Sequence, residues 1–477
     1  MLLSKKVNIM AKLYVFGIGG TGSRVLRSFT MLAASGVKMN IDEIVPIIID
    51  PDQSNADLTR TVSLMNRYRE ISSALNFTKA DETQFFRKEL VQNMENYTLR
   101  ISDTDDKTFK QFIDLSSMNK QSQALMRMLF SEKNLGSSMN VGFKGNPNIG
   151  SVVLNQIVSS DDFNTFANGF AAGDKIFIIS SIFGGTGASG FPLLLKTLRT
   201  GRNFPNSAII NNAEIGAITV LPYFKLKQSD YSEIDSATFI SKTKSALAYY
   251  ENNISRNGSI NAMYYLADDI SSTYENNEGG DAQKNDAHLI EFLAATAIVD
   301  FCNKKIGVGP ENKELGLRDM HDASAVTFES FYEEMRKLLF APMTGFLMMS
   351  NCLIDKFGYY SSKSFDVNND NFKGLYDSSF MSNLKDFVYD YKEWLGEMKE
   401  NKRSLNLFNL SAEDKPFDII TGCKPKKICS ILSDYNLITS RLNKAVKRKC
   451  QSKEDPNKFL EMFYLGLSKL ISEKFKV

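Results

Sequence analysis

The sequence predicts an α/β protein: a Rossmann-like parallel sheet in a nucleotide-binding domain, followed by a mostly helical C-terminal part. Glycine-rich segments stand twice between an apolar strand and a helix, at Gly17–Ser23 and Gly184–Gly190. Every residue of Ile176–Ile179 is apolar, as in a strand that is covered on both faces of a parallel sheet. Helical spacing of apolar residues dominates beyond residue 325.

The composition is that of an ordinary globular protein. Its 477 residues are enough for two or three domains with substantial cores. Apolar residues make up 43% and charged residues 23%, and the net charge of +2 predicts no bulk attraction to nucleic acid or membranes. No apolar run reaches about 18 residues, so we expect no membrane span.

The cysteines and histidines bear on metal binding and on the cellular compartment. The five cysteines form no C-x-x-C pair, and the two histidines, His288 and His321, are far apart. A zinc site is therefore not expected, and the thiols are typical of a reducing compartment. We accordingly expect a cytoplasmic protein that makes no direct contact with nucleic acid.

The first glycine-rich segment reads G-I-G-G-T-G-S and follows a strand predicted over Leu13–Phe16. A G-x-G-x-x-G motif between a strand and a helix is a nucleotide-binding signature. Glycines suit this place because they let backbone N–H groups approach an anion at the helix N-terminus. The helix is predicted to continue to about Ala34, and the motif does not say which nucleotide is bound.

A second strand, Ile44–Ile49, ends in the acidic pair Asp50 and Asp52. In a dinucleotide enzyme a carboxylate at this place would hold a ribose, whereas in a nucleoside triphosphate site it could face a metal ion. Residues 57–140 are polar, with Met, Leu and Phe at helical spacing and no strand signal. We predict a helical insertion there.

Residues 141–150 read V-G-F-K-G-N-P-N-I-G and form a further glycine-rich segment. Pro147 favours an extended Asn146, and the glycines would expose N–H groups to an anion. Thr186 and Ser189 add hydroxyl donors to the Gly184 segment, which is not a P-loop because no Gly-Lys-Ser/Thr follows. We expect its helix to begin near Phe191 or Pro192, since proline suits a first helical turn.

The order downstream is strand, helix, strand, helix. A strand over Ile215–Leu221 ends at Pro222, and a helix over Ser236–Glu251 precedes a strand over Ala262–Leu266. Asn285 and Asp286 then open an apolar helix that runs to about Cys302. The simplest role for either residue is to cap that helix.

These motifs resemble, in their order, the tubulin/FtsZ superfamily over residues 12 to about 302. The first glycine segment and Asp50-x-Asp52 are also similar to the adenylating enzymes that activate ubiquitin-like proteins, but those enzymes lack a second glycine loop. The Gly184 segment resembles the tubulin signature Gly-Gly-Gly-Thr-Gly-[Ser/Thr]-Gly. It has Phe183 for the first glycine and Ala188-Ser189 for the single hydroxyl residue.

The resemblance implies a Rossmann-like GTPase domain of a divergent bacterial tubulin-like protein, which binds GTP or GDP with Mg²⁺. It implies that Asp52 lies near the metal, that Gly145 and Asn146 border the γ-phosphate, and that Asp286 reads guanine, since a carboxylate can accept from the N1–H and amine of that base. The implied cofactor-binding residues are Gly17, Gly19, Gly20, Thr21, Gly22, Ser23, Asp50, Asp52, Gly145, Asn146, Gly184, Gly185, Thr186, Gly187, Ala188, Ser189, Pro222, Asn285 and Asp286.

The sequence departs from the family after the predicted central helix, about 285–302. Tubulin-like GTPases complete the site of the next subunit with an Asn-x-Asp loop there, and residues 303–324 contain none. The candidate catalytic acids are Glu311, Glu314, Asp319 and Asp322, which the sequence does not rank.

The C-terminal part, 303–477, also departs from the family, because helical patterns replace the expected small α/β domain. We predict helices over Phe328–Phe340, Phe380–Lys399 and Asn457–Phe475. In the last helix one apolar stripe is expected to pack in the core; it consists of Phe459, Phe463, Leu467, Leu470 and Ile471.

The leading functional hypothesis is a slow, Mg-dependent GTPase that self-assembles into an oligomer or filament, with possible protein partners on its helical parts. The second is a non-hydrolysing, nucleotide-bound scaffold or switch, which would account for the missing Asn-x-Asp. The third is an adenylating enzyme, which the Gly184 segment disfavours. The predicted domains are 1–302, which includes the insertion at 57–140, and 303–477.

Overall fold

The structure is a computed structural model of the chain. It describes residues 11–475 apart from 53, 77–84, 102–103, 105, 140–142, 144–145, 227–235, 269–272, 275–283, 305–316, 318–324, 363–364, 366–370, 373, 412–414, 427–432 and 454.

Within the described residues, the main sheet is parallel and contains six strands. They are β1 Lys12–Ile18, β2 Glu43–Ile49, β3 Glu89–Leu90, β4 Lys175–Ser181, β5 Glu214–Val220 and β7 Ala262–Leu266. Their order is β3-β2-β1-β4-β5-β7, so the direction of winding reverses between β1 and β4. In doubly wound sheets, the crevice at the carboxyl ends of the strands beside such a reversal is where ligands bind.

Two small parallel pairs lie outside this sheet. They join β6 Lys225–Leu226 to β8 Thr273–Tyr274, and β9 Ala325–Val326 to β10 Ser404–Leu405.

Most other regular structure is helical. The helices are α1 Gly19–Ala34, α2 Ala56–Ser73, α3 Phe109–Phe112, α4 Lys120–Leu129, α5 Glu132–Leu135, α6 Pro147–Leu154, α7 Asp161–Gly169, α8 Gly185–Thr200, α9 Ser207–Ile210, α10 Ser236–Tyr250, α11 Leu289–Asn303, α12 Glu333–Asp355, α13 Phe357–Tyr360, α14 Ser379–Glu400, α15 Asp434–Arg448 and α16 Asp455–Phe475.

The predicted strands form within one or two residues of their expected bounds. In β1, β2, β4 and β5 every residue after the first is buried, which explains their largely apolar runs. The segment predicted as a helical insertion differs from expectation, because β3 pairs there with β2 through Leu90 and Ile44. Two paired residues are too short to leave a periodic signal in the sequence.

Helices cover both faces of the sheet and enclose two hydrophobic cores. One core joins α1, α2 and α11 to the C-terminal helices α12, α14, α15 and α16. The other joins the opposite face of the sheet to α6, α7 and α8. The C-terminal helices therefore share a core with the helices on one face of the main sheet, and the division at residue 302 stays a prediction.

The C-terminal part is helical where the structure describes it. The whole stripe of α16, from Phe459 to Ile471, is buried as expected. The helix expected to begin at Phe328 begins at Glu333, because a capping box between Thr327 and Ser330 closes a separate 3-10 turn. In the described part of the chain, α12 alone has the length and apolarity of a membrane span, and 72% of its apolar window is buried inside the protein.

Candidate functional site

The two glycine segments form the first turns of helices rather than loops before them. α1 begins at Gly19, directly after β1, and α8 begins at Gly185, with three residues between it and the end of β4. The expected start near Phe191 or Pro192 is therefore wrong, and Pro192 lies inside α8. The glycines are required by close packing: a Cβ on Gly187 would stand 2.8 Å from the backbone N and O of Ser181.

The starts of α1 and α8 meet at the reversal point of the sheet. Gly19 has φ of +71°, and a Cβ built on it would stand 3.3 Å from the Cβ of Thr186. The first N–H groups of a helix have no partner within it and carry partial positive charge. Two such ends side by side, without bulky side chains, make a cradle suited to an anion such as phosphate.

The start of α1 is pressed against the end of β1. A Cβ on Gly22 would stand 2.3 Å from the carbonyl carbon of Gly17. The Ser23 hydroxyl is fully buried beside this contact and has no hydrogen-bond partner within the described part of the chain. Gly20 and Thr21 are half-buried at the mouth of the cradle. A buried hydroxyl without a partner is a feature that a bound polar ligand would satisfy.

The segment around Asn146 and Pro147 lies beside the first turns of α8. Pro147 is the first residue of α6, and a Cβ on Gly150 would stand 2.2 Å from the Oγ of Ser189 in α8. The Ser189 hydroxyl itself donates to the carbonyl oxygen of Gly185 at 2.7 Å, so it is turned into its own helix. Asn146 is half-buried just before α6, and Gly145 lies outside the described residues.

Asp50 and Asp52 lie at the carboxyl end of β2, next to the end of β1. Both carboxylates are buried. The backbone N–H of Asp52 donates to Oδ1 of Asp50 at 3.1 Å, and the hydroxyl of Ser54 donates to Oδ1 of Asp52 at 3.0 Å. Burial, with a further contribution from the Asp52 charge, raises the pKa of Asp50 to about 7, although the Asp52 N–H opposes the shift.

The raised pKa of Asp50 predicts that acidification stabilises the nucleotide-free protein. A carboxyl with a folded pKa near 7 and an unfolded pKa near 4 contributes stability below about pH 4 that is lost as the pH rises through 7. The Asp50→Asn variant should lack this slope and should unfold at higher denaturant concentration than wild type above pH 7. Urea unfolding between pH 5 and 8 measures both effects.

The control for this experiment is Glu400→Gln, which removes an exposed carboxylate of α14 and should keep the wild-type slope. An Asp50→Asn variant whose stability followed the wild-type pH profile would show that Asp50 is ionised throughout this range.

The segment before α11 is arranged differently from the predicted cap. α11 begins at Leu289, and its N-cap is His288, whose Nδ1 accepts from the Ile290 N–H at 3.0 Å. Burial, aided by Arg24 and Arg403, lowers the pKa of His288 to about 3 and so keeps this ring neutral as an acceptor. Neither Asn285 nor Asp286 therefore caps the helix.

Asn285 is bound within the protein, whereas Asp286 is exposed. The backbone N–H and side-chain amide of Asn285 donate to the two carboxylate oxygens of Asp57, at 2.9 and 2.7 Å. Asp57 belongs to the first turn of α2, so this contact brings the segment to the carboxyl edge of the sheet. Asp286 projects to solvent there, while its backbone carbonyl accepts from Arg24 at 3.0 Å.

Aromatic side chains line the route from β4 and β5 to the start of α11. The centroid of the Tyr223 ring lies 4.8 Å from that of the His288 ring and 6.4 Å from that of the Phe183 ring. Phe224 lies 4.8 Å from Tyr223, and Pro222 is buried beside them. Such a surface offers flat apolar faces of the kind on which a planar base can stack.

Sequence reasoning missed four charged residues that organise this region: Arg24, Asp57, Arg60 and Glu397. Arg24 lies in α1, which also carries Arg27, and pairs with the buried Glu291. Burial raises the pKa of Glu291, against the opposing effect of Arg24. A charged residue that interrupts an apolar helical stripe is a sequence signal for such pairs, but its partner is not evident from the sequence.

The four candidate catalytic acids, Glu311, Glu314, Asp319 and Asp322, lie outside the described residues. Within the described ranges there is no group of three or more His, Cys, Asp or Glu side chains that could hold a metal ion by themselves.

The fold is thus a doubly wound parallel sheet with a glycine-lined anion cradle at its reversal point. No protein-family model matches the sequence, and no curated protein matches it. Solved structures that match part of the chain include CetZ2 of Haloferax volcanii as a GTPgS-bound protofilament, with 12% identity over 54% of this chain and 49% of that one, at a TM-score of 0.27.

Two further solved structures match the same share of this chain. The GDP-bound CetZ1 monomer of Haloferax volcanii has 13% identity over 54% of this chain and 51% of that one, at a TM-score of 0.28. The GTPyS-form protofilament of TubZ from Bacillus thuringiensis serovar israelensis has 11% identity over 54% of this chain and 48% of that one, at a TM-score of 0.23. The chain spans about half the length of these structures.

Proposed function

We propose that this chain is a tubulin/FtsZ-like GTP-binding protein, and that it hydrolyses GTP slowly when it self-assembles. The observation that carries the proposal is the meeting of α1 and α8 at the reversal point, where Gly19 faces Thr186. The motif order along the sequence supports the choice of superfamily, and the site geometry supports a phosphate-bearing ligand.

In this proposal the phosphates lie over the first turns of α1 and α8. The backbone N–H groups of Gly19–Thr21 and Gly185–Gly187, the first residues of their helices, would donate to phosphate oxygens, and the buried Ser23 hydroxyl would gain a partner. Asn146, at the start of α6, would border the terminal phosphate. These groups are held in place before the ligand arrives, which reduces the ordering cost of binding.

Two buried carboxylates, Asp50 and Asp52, are the type of oxygen donor that Mg²⁺ prefers. Because Mg²⁺ commonly takes only one or two carboxylates and fills its shell with phosphate oxygens and water, a two-carboxylate site fits it. Asp52 is the proposed ligand. When bound, Mg²⁺ would neutralise charge that develops on the phosphates.

Asp286 is the proposed reader of guanine. It is exposed at the same edge of the sheet. Its carboxylate can accept from the N1–H and the neighbouring 2-amino group of guanine, whereas adenine has no N1–H and no amine at C2. The Asn285 amide is bound to Asp57, so its proposed role is to hold the segment. Tyr223 and Phe183 would form an apolar wall near the base.

The test is phosphate release with GTP and with ATP, measured over a range of protein concentrations together with light scattering. A site that is completed across a subunit interface predicts GTP-specific activity per molecule that rises with concentration. Alanine variants of Glu311, Glu314, Asp319 and Asp322 would then identify the acid that activates water.

Other outcomes separate the alternatives. GTP that binds without turnover at any concentration would replace the GTPase with a non-hydrolysing scaffold or switch. Pyrophosphate exchange with ATP would indicate an adenylating enzyme instead. Failure to bind either nucleotide would remove the proposal altogether.

A further inference from the structure

The segment 285–287 is held almost entirely through its backbone. The carbonyl oxygens of Asn285 and Asp286 accept from Arg60 at 3.2 Å and from Arg24 at 3.0 Å. The N–H of Ala287 donates to Glu397 at 2.9 Å, and its carbonyl accepts from the Asn401 amide at 3.2 Å. Each of these partners is a side chain of another element. The backbone conformation of the segment is therefore fixed by contacts with other parts of the chain.

Two of these partners come from the C-terminal part of the chain. Glu397 belongs to the last turn of α14, and Asn401 is the C-cap residue of that helix. They are more than 100 positions from Ala287 in the sequence. The same helix is anchored on α1, because the indole N–H of Trp394 donates to the Ser28 hydroxyl at 3.2 Å in the buried core.

Glu397 connects the segment to both helices that start at the site. Its Oε2 accepts from Arg27 of α1 at 2.7 Å as well as from the Ala287 N–H, and its Oε1 pairs with Arg60 of α2. Although burial alone would raise the pKa of Glu397, the two arginines and the Ala287 N–H lower it, so the carboxylate is ionised at neutral pH. One charged group thus ties α1, α2 and α14 to the segment that carries Asp286.

We propose that Glu397 and Asn401 of α14 are positioning residues for base recognition, which set the selectivity of the site for guanine without touching the nucleotide. This inference rests on the proposed function, because it takes Asp286 as the guanine reader. The peptide units on both sides of Asp286 are held by Arg24, Arg60, Glu397 and Asn401. Loss of a contact from α14 would let the Asp286 carboxylate move relative to the base, and a misplacement of about 1 Å is costly at such a site.

The phosphate cradle is built separately. It consists of the starts of α1, α6 and α8, whereas the Asn401 amide donates to the carbonyl oxygen of Ala287, which belongs to the segment before α11. A positioning role for α14 therefore predicts that guanine discrimination weakens while phosphate binding is kept. A general loss of folding would weaken both.

The experiment compares Asn401→Ala and Glu397→Gln with wild type in the full chain. Equilibrium dissociation constants are measured for GTP, for ATP and for inorganic tripolyphosphate, all with Mg²⁺. For each variant we expect the GTP-to-ATP affinity ratio to fall by roughly three- to tenfold, as loss of about one hydrogen bond implies, with tripolyphosphate affinity within about twofold of wild type. The control is Glu400→Gln, which removes an exposed carboxylate at the end of the same helix.

The outcomes separate this inference from the function on which it rests. If wild type prefers GTP and both variants keep its GTP-to-ATP ratio, the positioning role is wrong and the proposed function stands. If wild type binds neither nucleotide, or does not prefer GTP, both are overturned. A variant that loses all three ligands equally acts through folding and contradicts the positioning role; should Glu397→Gln not fold, Asn401→Ala decides.

Discussion

Gly22→Ala is expected to abolish nucleotide binding and to destabilise the fold. The added Cβ would stand 2.3 Å from the carbonyl carbon and 2.6 Å from the Cα of Gly17, and backbone atoms cannot turn aside as a side chain can. α1 must therefore move away from the end of β1. Overpacking of this kind costs about 1–3 kcal/mol, and displacement of the phosphate-binding turn is expected to weaken GTP affinity by roughly a hundredfold or more.

The measurement pairs urea unfolding with GTP binding, and Gly396→Ala is the matched control. Gly396 is also a helical glycine, but a Cβ there meets only the Leu410 side chain at 3.9 Å. Because alanine has a higher helix propensity than glycine, Gly396→Ala should raise the free energy of unfolding by up to about 1 kcal/mol. It should bind GTP as wild type does. If Gly22→Ala kept both the stability and the affinity of wild type, α1 would not be packed against β1 as described.

Glu397→Ala is expected to lower the free energy of unfolding by about 3–5 kcal/mol. The substitution leaves the guanidinium of Arg27, whose side chain is 8% exposed, without its carboxylate, and an unpaired buried charge is costly. It also removes the acceptor for the Ala287 N–H. Chemical denaturation at pH 7 measures the loss. The control is Glu400→Ala on the same helix, where the side chain is exposed, and it should change stability by less than about 0.5 kcal/mol.

The pH dependence gives an independent check on the same group. A glutamate with a folded pKa below its unfolded pKa contributes stability that is present above the unfolded pKa and lost as the pH falls through the folded pKa. The difference between wild type and Glu397→Ala should therefore shrink as the pH is lowered from about 5. A difference that stayed constant down to pH 3 would count against an ionised Glu397 in the folded protein.

The sequence by itself determined the longer strands of the sheet and the glycine segments. A strand covered on both faces favours apolar residues, so β1, β2, β4 and β5 are visible as largely apolar runs, although the buried Ser180 and Thr219 show that small hydroxyl side chains also fit there. Glycines that abut backbone, as at Gly22 and Gly187, tolerate no other residue in this packing and so stand out locally. The functional assignment built on them remains a proposal for the assays above.

Only the tertiary structure decided where the helices start and what holds the segment before α11. A glycine run is usually taken as a loop, and close packing of α8 on β4 is what allows that helix to begin at Gly185 instead of near Pro192. The contact of Asp57 with Asn285 and that of Glu397 with Ala287 join residues far apart in the chain. Such pairs depend on how helices cross in space, and local sequence patterns report only on neighbours within a few residues.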